Sequence, residues 1–260
     1  MSNILKNLNK EQQEAVLHTD GPLLVLAGAG SGKTRVITSR IAYLIKEKGV
    51  SPRSILGVTF TNKAAGEMEE RIYTMLEYKI TSVWLKTFHS TGARLLREHI
   101  PYLNRSKDFS IYSDNDSKNL IKDIIKRFDL RNSVKPGTVL SLISRMKDNL
   151  VSVKECGENV NDPKEEDIFK IYSEYEKNLR KNNAVDFGDL LFLTVQLLRN
   201  VPELLESLQE KWRYILVDEY QDTNKLQGEI VDLTASFHCN IMVVGDDSQS
   251  IYSFRGAHFT

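Results

Sequence analysis

Residues 27–34 read AGAGSGKT. Glycines in such a run let backbone N–H groups turn inward around a phosphate, and a helix beginning there adds its positive end. Ala27, Gly28, Ala29, Gly30, Ser31 and Gly32 would form the cradle, Lys33 would reach the β- and γ-phosphates, and the Thr34 hydroxyl would ligate Mg²⁺. Ala27 fills the first position of the pattern, where glycine is usual and a methyl group is tolerable. A purely structural glycine turn is the rival reading. The apolar run before the loop and the helical period after it argue for the nucleotide.

The second chemical signal is acidic. At 214–222 the chain reads YILVDEYQD, a hydrophobic strand running into Asp218 and Glu219. Carboxylates at the C-terminal edge of a parallel sheet face the same crevice as a phosphate loop. Asp218 is placed to hold Mg²⁺ and Glu219 to polarise an attacking water as general base. Alone, the pair reads equally well as a solvated acidic turn; beside a P-loop the chemical reading prevails. A third apolar run, 241–245, ends in Gly245-Asp246, with Gln249 soon after. A neutral amide there suits sensing of a γ-phosphate, although by itself Gln249 is as well read as a loop residue.

These groups need a scaffold. Short apolar runs at 22–27, 54–59, 83–87, 213–217 and 241–245 read as buried parallel strands. Helical stretches separate them, such as 63–77 with Ala65, Met68, Ile72 and Met75 on one face. Strands alternating with helices predict an α/β fold with a parallel sheet covered on both sides. From about 113 to 182 the pattern is helical throughout. Ser113 with Asp116 marks a helix start, followed by a stripe of Leu120, Ile121, Ile124, Ile125 and Phe128. Pro136-Gly137 breaks the chain, and Pro163 opens a helix carrying Ile168, Ile171, Tyr172, Tyr175 and Leu179. These stripes read as core.

Composition narrows the class. With 41% hydrophobic and 27% charged residues, the 260-residue chain is neither fibrous nor wholly disordered, and its length suits one or two domains. Two cysteines, Cys156 and Cys239, argue against a disulfide scaffold or a cysteine zinc site. The five histidines show no HExxH spacing. Charged residues near the N-terminus exclude a signal peptide, and the apolar runs are too short to span a bilayer, so the reading is a soluble, cytoplasmic protein. The zero net charge hides an asymmetry: residues 1–104 carry 14 basic and 9 acidic groups, residues 184–260 carry 5 and 12. A neutral total therefore leaves a polyanionic partner open.

The order of motifs closely resembles the UvrD/Rep/PcrA group of superfamily 1 DNA helicases, nearest to its PcrA-type members. LNKEQQEAV (8–16) is similar to the Q motif, AGAGSGKT to motif I, TFTNKAAGEM (59–68) to motif Ia and TFHS (87–90) to motif Ib. VDEYQDTN (217–224) is similar to motif II and VVGDDSQSIYSFRGA (243–257) to motif III. The resemblance implies a RecA-like P-loop NTPase domain, residues 1–108 and 184–260, interrupted by an all-helical insertion at 109–183. It implies that Gln12 reads the adenine edge, that Arg35 lies beside the base or sugar, and that Gln249 couples the γ-phosphate to DNA. Thr59, Phe60, Asn62, His89, Tyr252, Phe254 and Arg255 match its DNA-contact positions. Aromatic faces stack on unpaired bases without regard to sequence. Core packing is the rival reading for Phe60, and a structural role for His89. Lys118, Lys122 and Lys126 lie at helical spacing, as suited to duplex DNA as to a solvated face.

The resemblance further implies an enzyme using ATP and Mg²⁺ to move 3′ to 5′ on single-stranded DNA and at single-strand/duplex junctions, in repair or replication. Phe254 stands where PcrA-like members usually carry Trp, which keeps a RecB/AddA-type motor open; Ser248 replaces a common acidic residue. The family continues into a second RecA-like domain that supplies arginines for the transferring phosphoryl group, worth about 10³–10⁵ in rate. The expectation is an N-terminal motor half that binds Mg-ATP, hydrolyses it slowly at best and does not unwind. A small-molecule P-loop kinase and a non-hydrolysing, nucleotide-gated DNA-binding module are the rivals.

Overall fold

The computed structural model describes residues 3–77, 83–130 and 134–246. The contacts divide the chain into two units, one of residues 1–91, 201–223 and 227–260, the other of 92–200 and 224–226.

The first unit is built on a five-stranded sheet. Its strands are β1 (Leu23–Leu26), β2 (Ile55–Thr59), β3 (Trp84–Thr87), β6 (Tyr214–Val217) and β7 (Ile241–Gly245). Their spatial order is β1-β7-β6-β2-β3 and every pairing is parallel. All five match the apolar runs to within a residue or two, and for the inner strands the reason is that a parallel strand buried on both faces needs an unbroken apolar run. β2 is buried at every position.

Helices α1 (Lys10–Leu17), α2 (Lys33–Lys46) and α3 (Asn62–Leu76) contribute Val16, Ile37, Ile41, Met68 and Ile72 to a core shared with Ile55, Leu85, Leu216 and Met242. Met75, expected on the buried face of α3, is only half-buried. Buried Arg40 of α2 donates to the carbonyls of Ala15, His18 and Thr19, tying the end of α1 to α2. The expectation of a sheet covered on both sides fails at β1. Leu24 and Leu26, alternate residues on one face of this edge strand, are more than half exposed among the described residues. The unit also contains α10 (Pro202–Lys211) and most of α11 (Lys225–Ala235), while α4 (Phe88–His99) starts in it.

The second unit is mainly helical: α5 (Asp114–Arg127), α6 (Pro136–Asp148), α7 (Val153–Glu158), α8 (Pro163–Lys181) and α9 (Asp189–Asn200). Ser113 and Asp116 close a reciprocal capping box at the start of α5, as their spacing predicts. Pro136 occupies the first turn of α6, where its missing N–H is harmless, so Pro136-Gly137 begins a helix instead of breaking one. Ile121, Ile124, Ile125, Ile171, Tyr172, Tyr175 and Leu179 form the core. Phe128 departs from its expected place: it caps the end of α5 and is exposed. Lys118, Lys122 and Lys126 are exposed along α5.

Two features of this unit left no readable pattern in the sequence. Residues β4 (Ser110–Ile111) and β5 (Ala184–Val185) form a short parallel pair, too short to show periodicity. The Lys147 ammonium is buried 2.7 Å from a carboxylate oxygen of each of Glu176, Asp186 and Asp189. These three acids are spaced as metal ligands would be, but the lysine is the cation they surround. No described helix is long and apolar enough to cross a membrane.

Candidate nucleotide and nucleic-acid site

The parallel sheet brings the ends of its strands to one edge, and the sequence-marked residues follow those ends. After β1 the chain turns through residues 27–32 and enters α2 at Lys33. Gly30 and Gly32 hold φ of +74° and +87°, a left-handed backbone that side chains resist, so glycine is required at both. Buried Lys33 donates to the Ala27 carbonyl at 3.0 Å. Its ammonium also lies 3.5 Å from Asp246 Oδ2, just past β7, and 4.0 Å from Glu219 Oε2, just past β6. One lysine thus gathers the ends of three strands.

Asp218 is 3% exposed and accepts from the Glu219 N–H at 3.0 Å. Burial, and then the neighbouring Glu219 carboxylate, push its carboxyl up to about 6, against the opposing effects of that backbone bond, Lys33 and the Thr34 hydroxyl. The Thr34 hydroxyl is thus close enough to act on the Asp218 carboxyl, and the two bring oxygen donors to one place. A carboxylate that burial and a like charge disfavour, beside a hydroxyl, is a hard oxygen donor set that fits Mg²⁺. Glu219 has φ of +51°, a conformation uncommon outside glycine and concentrated at functional sites.

Gln12 uses both ends of its amide. Its carbonyl accepts from Asn9 N–H in the capping box of α1, and its Nε2 donates to the Ser31 carbonyl at 2.8 Å. The Q-motif glutamine thus braces the phosphate loop directly. Arg35 is exposed in the first turn of α2.

The strands on the far side of β6 carry the other set. Thr59 of β2 stands in register with Thr87 of β3, and both are buried. Phe60 meets Phe88 edge to face, with centroids 6.1 Å apart. Ser90 donates to Thr59's near neighbour Asn62 at 3.3 Å, and Thr87 donates to Ser90 at 2.8 Å. Phe60 and His89 are partly exposed and Asn62 is exposed. The motif Ia and Ib residues are therefore one cluster. Gln249, Tyr252, Phe254 and Arg255 lie outside the described residues.

Two residues join the site that the motifs did not single out for a role. Asp246 was legible as a strand end but not as the partner of Lys33. Gln221, buried in the turn after Glu219, donates to Glu219 and accepts from Asp246 N–H. Its signal was only a second polar residue after the acidic pair. Two clefts of about 540 and 340 Å³ flank α7 in the helical unit, far from this chemistry in sequence and lacking its convergent loop and carboxylates.

Fold and site together define a P-loop protein built on a RecA-like parallel sheet. The sequence pattern of the UvrD/REP helicase N-terminal domain matches residues 8–260, and the chain belongs to that family. It is 45% identical over 258 residues to proteins named ATP-dependent DNA helicase PcrA from Staphylococcus aureus and Staphylococcus epidermidis. The match covers 99% of this chain and 35% of each relative, so the chain spans about a third of their length.

Proposed function

We propose that the chain is an ATP-binding motor portion of a DNA helicase that couples ATP hydrolysis to 3′ to 5′ movement on single-stranded DNA. The observation that carries the reading is the shared sheet edge. Lys33, Thr34, Asp218, Glu219 and Asp246 end or follow β1, β6 and β7, while Phe60, Asn62 and His89 follow β2 and β3 of the same sheet. A change at the phosphate end has a short, rigid route to the aromatic end.

In this reading Gly28 to Gly32 enclose the phosphates and Lys33 exchanges the Ala27 carbonyl for phosphate oxygens. Thr34 and Asp218 would hold Mg²⁺, which when bound would neutralise phosphate charge. Glu219 takes a proton from water as the water oxygen attacks the γ-phosphorus; the bond to the bridging oxygen breaks and ADP leaves. Gln12 and Arg35 hold the base end. Phe60 offers a stacking face to an unpaired base, with Asn62 and His89 toward the backbone. Gln249, Tyr252, Phe254 and Arg255 complete the γ-phosphate and DNA contacts, and residues 109–183 form an insertion within the motor domain. Single-strand/duplex junctions are the wider substrate.

The test is Mg-ATP turnover by the chain, with protein in excess and with or without a single-stranded oligonucleotide. Expected are nucleotide binding and slow hydrolysis abolished by Glu219→Gln. Absence of nucleotide binding, turnover indifferent to Glu219→Gln, or phosphate transferred to a small molecule would overturn the reading.

A further inference from the structure

Four side chains close a ring between the ends of three strands. Lys33 Nζ lies 4.0 Å from Glu219 Oε2 and 3.5 Å from Asp246 Oδ2. Gln221 completes the circuit: its Nε2 donates to Glu219 Oε2 at 2.5 Å, and its Oε1 accepts from the Asp246 backbone N–H at 3.0 Å. The backbone donor fixes the amide's direction. Flipped, the amide would set NH₂ against N–H and carbonyl against carboxylate, both repulsive. Gln221 is 3% exposed, so water cannot substitute cheaply for either bond.

Gly245 makes room for this arrangement. A Cβ there would stand 3.0 Å from Gln221 Oε1 and 3.4 Å from Gln221 N. Gly245 has no positive φ, so its lack of a side chain is tied to the approach of the amide and not to backbone conformation.

We propose that Gln221 is the positioning residue for the general base. It rests on the reading of Glu219 as that base. The amide holds Oε2 and leaves Oε1 to accept the proton of the attacking water. When Lys33 turns to a phosphate, Gln221 still restrains Glu219, whose left-handed backbone alone would not fix its side chain. Because the other end of the amide is bonded to Asp246 N–H, a shift at the end of β7 moves the base with it. Gln221 is neutral, so it orients the carboxylate without adding charge beside a proton acceptor.

The experiment has two arms on the intact chain. In the first, ¹H–¹⁵N spectra follow the Gln221 side-chain amide, assigned by its loss in Gln221→Met. Its resonances are expected downfield of those of exposed glutamines in the wild type, as a carboxylate acceptor requires, and to move back toward them in Glu219→Gln. In the second, single-turnover hydrolysis is measured with protein in excess. Gln221→Met is expected to lower the rate at least tenfold, with nucleotide Kd changed less than twofold, and to lower it no further in a Glu219→Gln background. Gln221→Glu, which keeps an acceptor for Asp246 N–H but sets a like charge against Glu219, is expected to lower the rate as Gln221→Met does. Gly245→Ala is expected to shift the Gln221 amide resonances.

The proposal is overturned if the amide resonances are those of an exposed glutamine, if Glu219→Gln leaves them in place, or if Gln221→Met hydrolyses as the wild type does. It is also overturned if the loss adds in full to that of Glu219→Gln. A chain whose Gln221 amide responds to Glu219→Gln but that binds no nucleotide overturns the hydrolase reading and leaves the Gln221–Glu219 linkage standing.

Discussion

The ammonium of Lys33, at the start of α2, lies 3.5 Å from the Asp246 carboxylate at the end of β7, and both side chains are buried. A lysine that serves a phosphate must be held near its working position without being locked there. In the proposed function the distance to Asp246 and the 3.0 Å bond to the Ala27 carbonyl would meet that need, since a triphosphate offers more charge than either. Hydrogen bonds to charged groups contribute about 1.5–3 kcal/mol. Lys33→Ala should therefore weaken Mg-ATP binding at least tenfold in a fluorescent-nucleotide titration, and ADP binding less. Equal losses for ATP and ADP would place the lysine away from the γ-phosphate.

Asp218 links pH to stability. Its folded pKa of about 6 lies above the ordinary aspartate value of 3.8. From about pH 4 to pH 6 the folded chain holds a proton that the unfolded chain has released. Stability therefore falls as pH rises through that window, and above it the full cost remains, on the order of 2–3 kcal/mol. Asp218→Asn keeps an acceptor for the Glu219 N–H and removes the buried charge. Thermal melts at pH 8 should show a Tm increase of about 4–8 °C, vanishing near pH 4. The same variant should lose the Mg²⁺ dependence of nucleotide binding. A variant no more stable at pH 8 than the wild type would mean the carboxylate is already compensated.

The strands and the phosphate loop were legible because each follows a local rule. Buried parallel strands demand apolar runs, and Gly30 and Gly32 are demanded by a left-handed backbone. Ser113 and Asp116 announced a helix start by spacing alone. The remaining contacts depend on residues far apart in the chain. Nothing near Asp246 says that Lys33 will face it, 213 positions earlier. Nothing near Gln221 says that its two amide ends will be claimed by Glu219 and Asp246. Lys147, Glu176, Asp186 and Asp189 come from three helices and a strand end, and charged residues on helices ordinarily read as solvent-facing. Phe128 was misplaced because a helical stripe does not reveal where the helix stops.

Phe60 tests the proposed nucleic-acid edge. Its ring rests edge-on against Phe88 and keeps a partly exposed face. Stacking of an aromatic ring on a base is worth about 1–3 kcal/mol. Phe60→Ala should weaken binding of a single-stranded oligonucleotide by about 5- to 150-fold, measured by fluorescence anisotropy at fixed salt, while nucleotide affinity holds. A loss of thermal stability with unchanged DNA affinity would assign Phe60 to packing alone.

Lys147 holds the helical unit by a different kind of bond. Burial by itself would lower its pKa, but Asp186, Asp189 and Glu176 together hold the ammonium well above its ordinary value. Tyr175 adds a hydrogen bond of 3.0 Å to Asp186, and Asp186 and Asp189 each accept from the other's backbone N–H. Three acids around one cation leave excess negative charge. Burial, then Asp186 and Glu176, accordingly push Asp189 up to about 7. Removing the cation leaves buried carboxylates that repel one another. Breaking a buried pair from one side typically costs about 3–5 kcal/mol. Lys147→Met should lower stability to denaturant by that order, and hydrogen exchange should accelerate first in α6, α8 and α9. Because Asp189 holds its proton in the folded state to about pH 7, lowering the pH should restore part of the loss in Lys147→Met as the carboxylates protonate. A variant whose deficit stays constant from pH 8 to pH 5 would show that packing of the lysine stem, and not the charge it neutralises, is what those helices require.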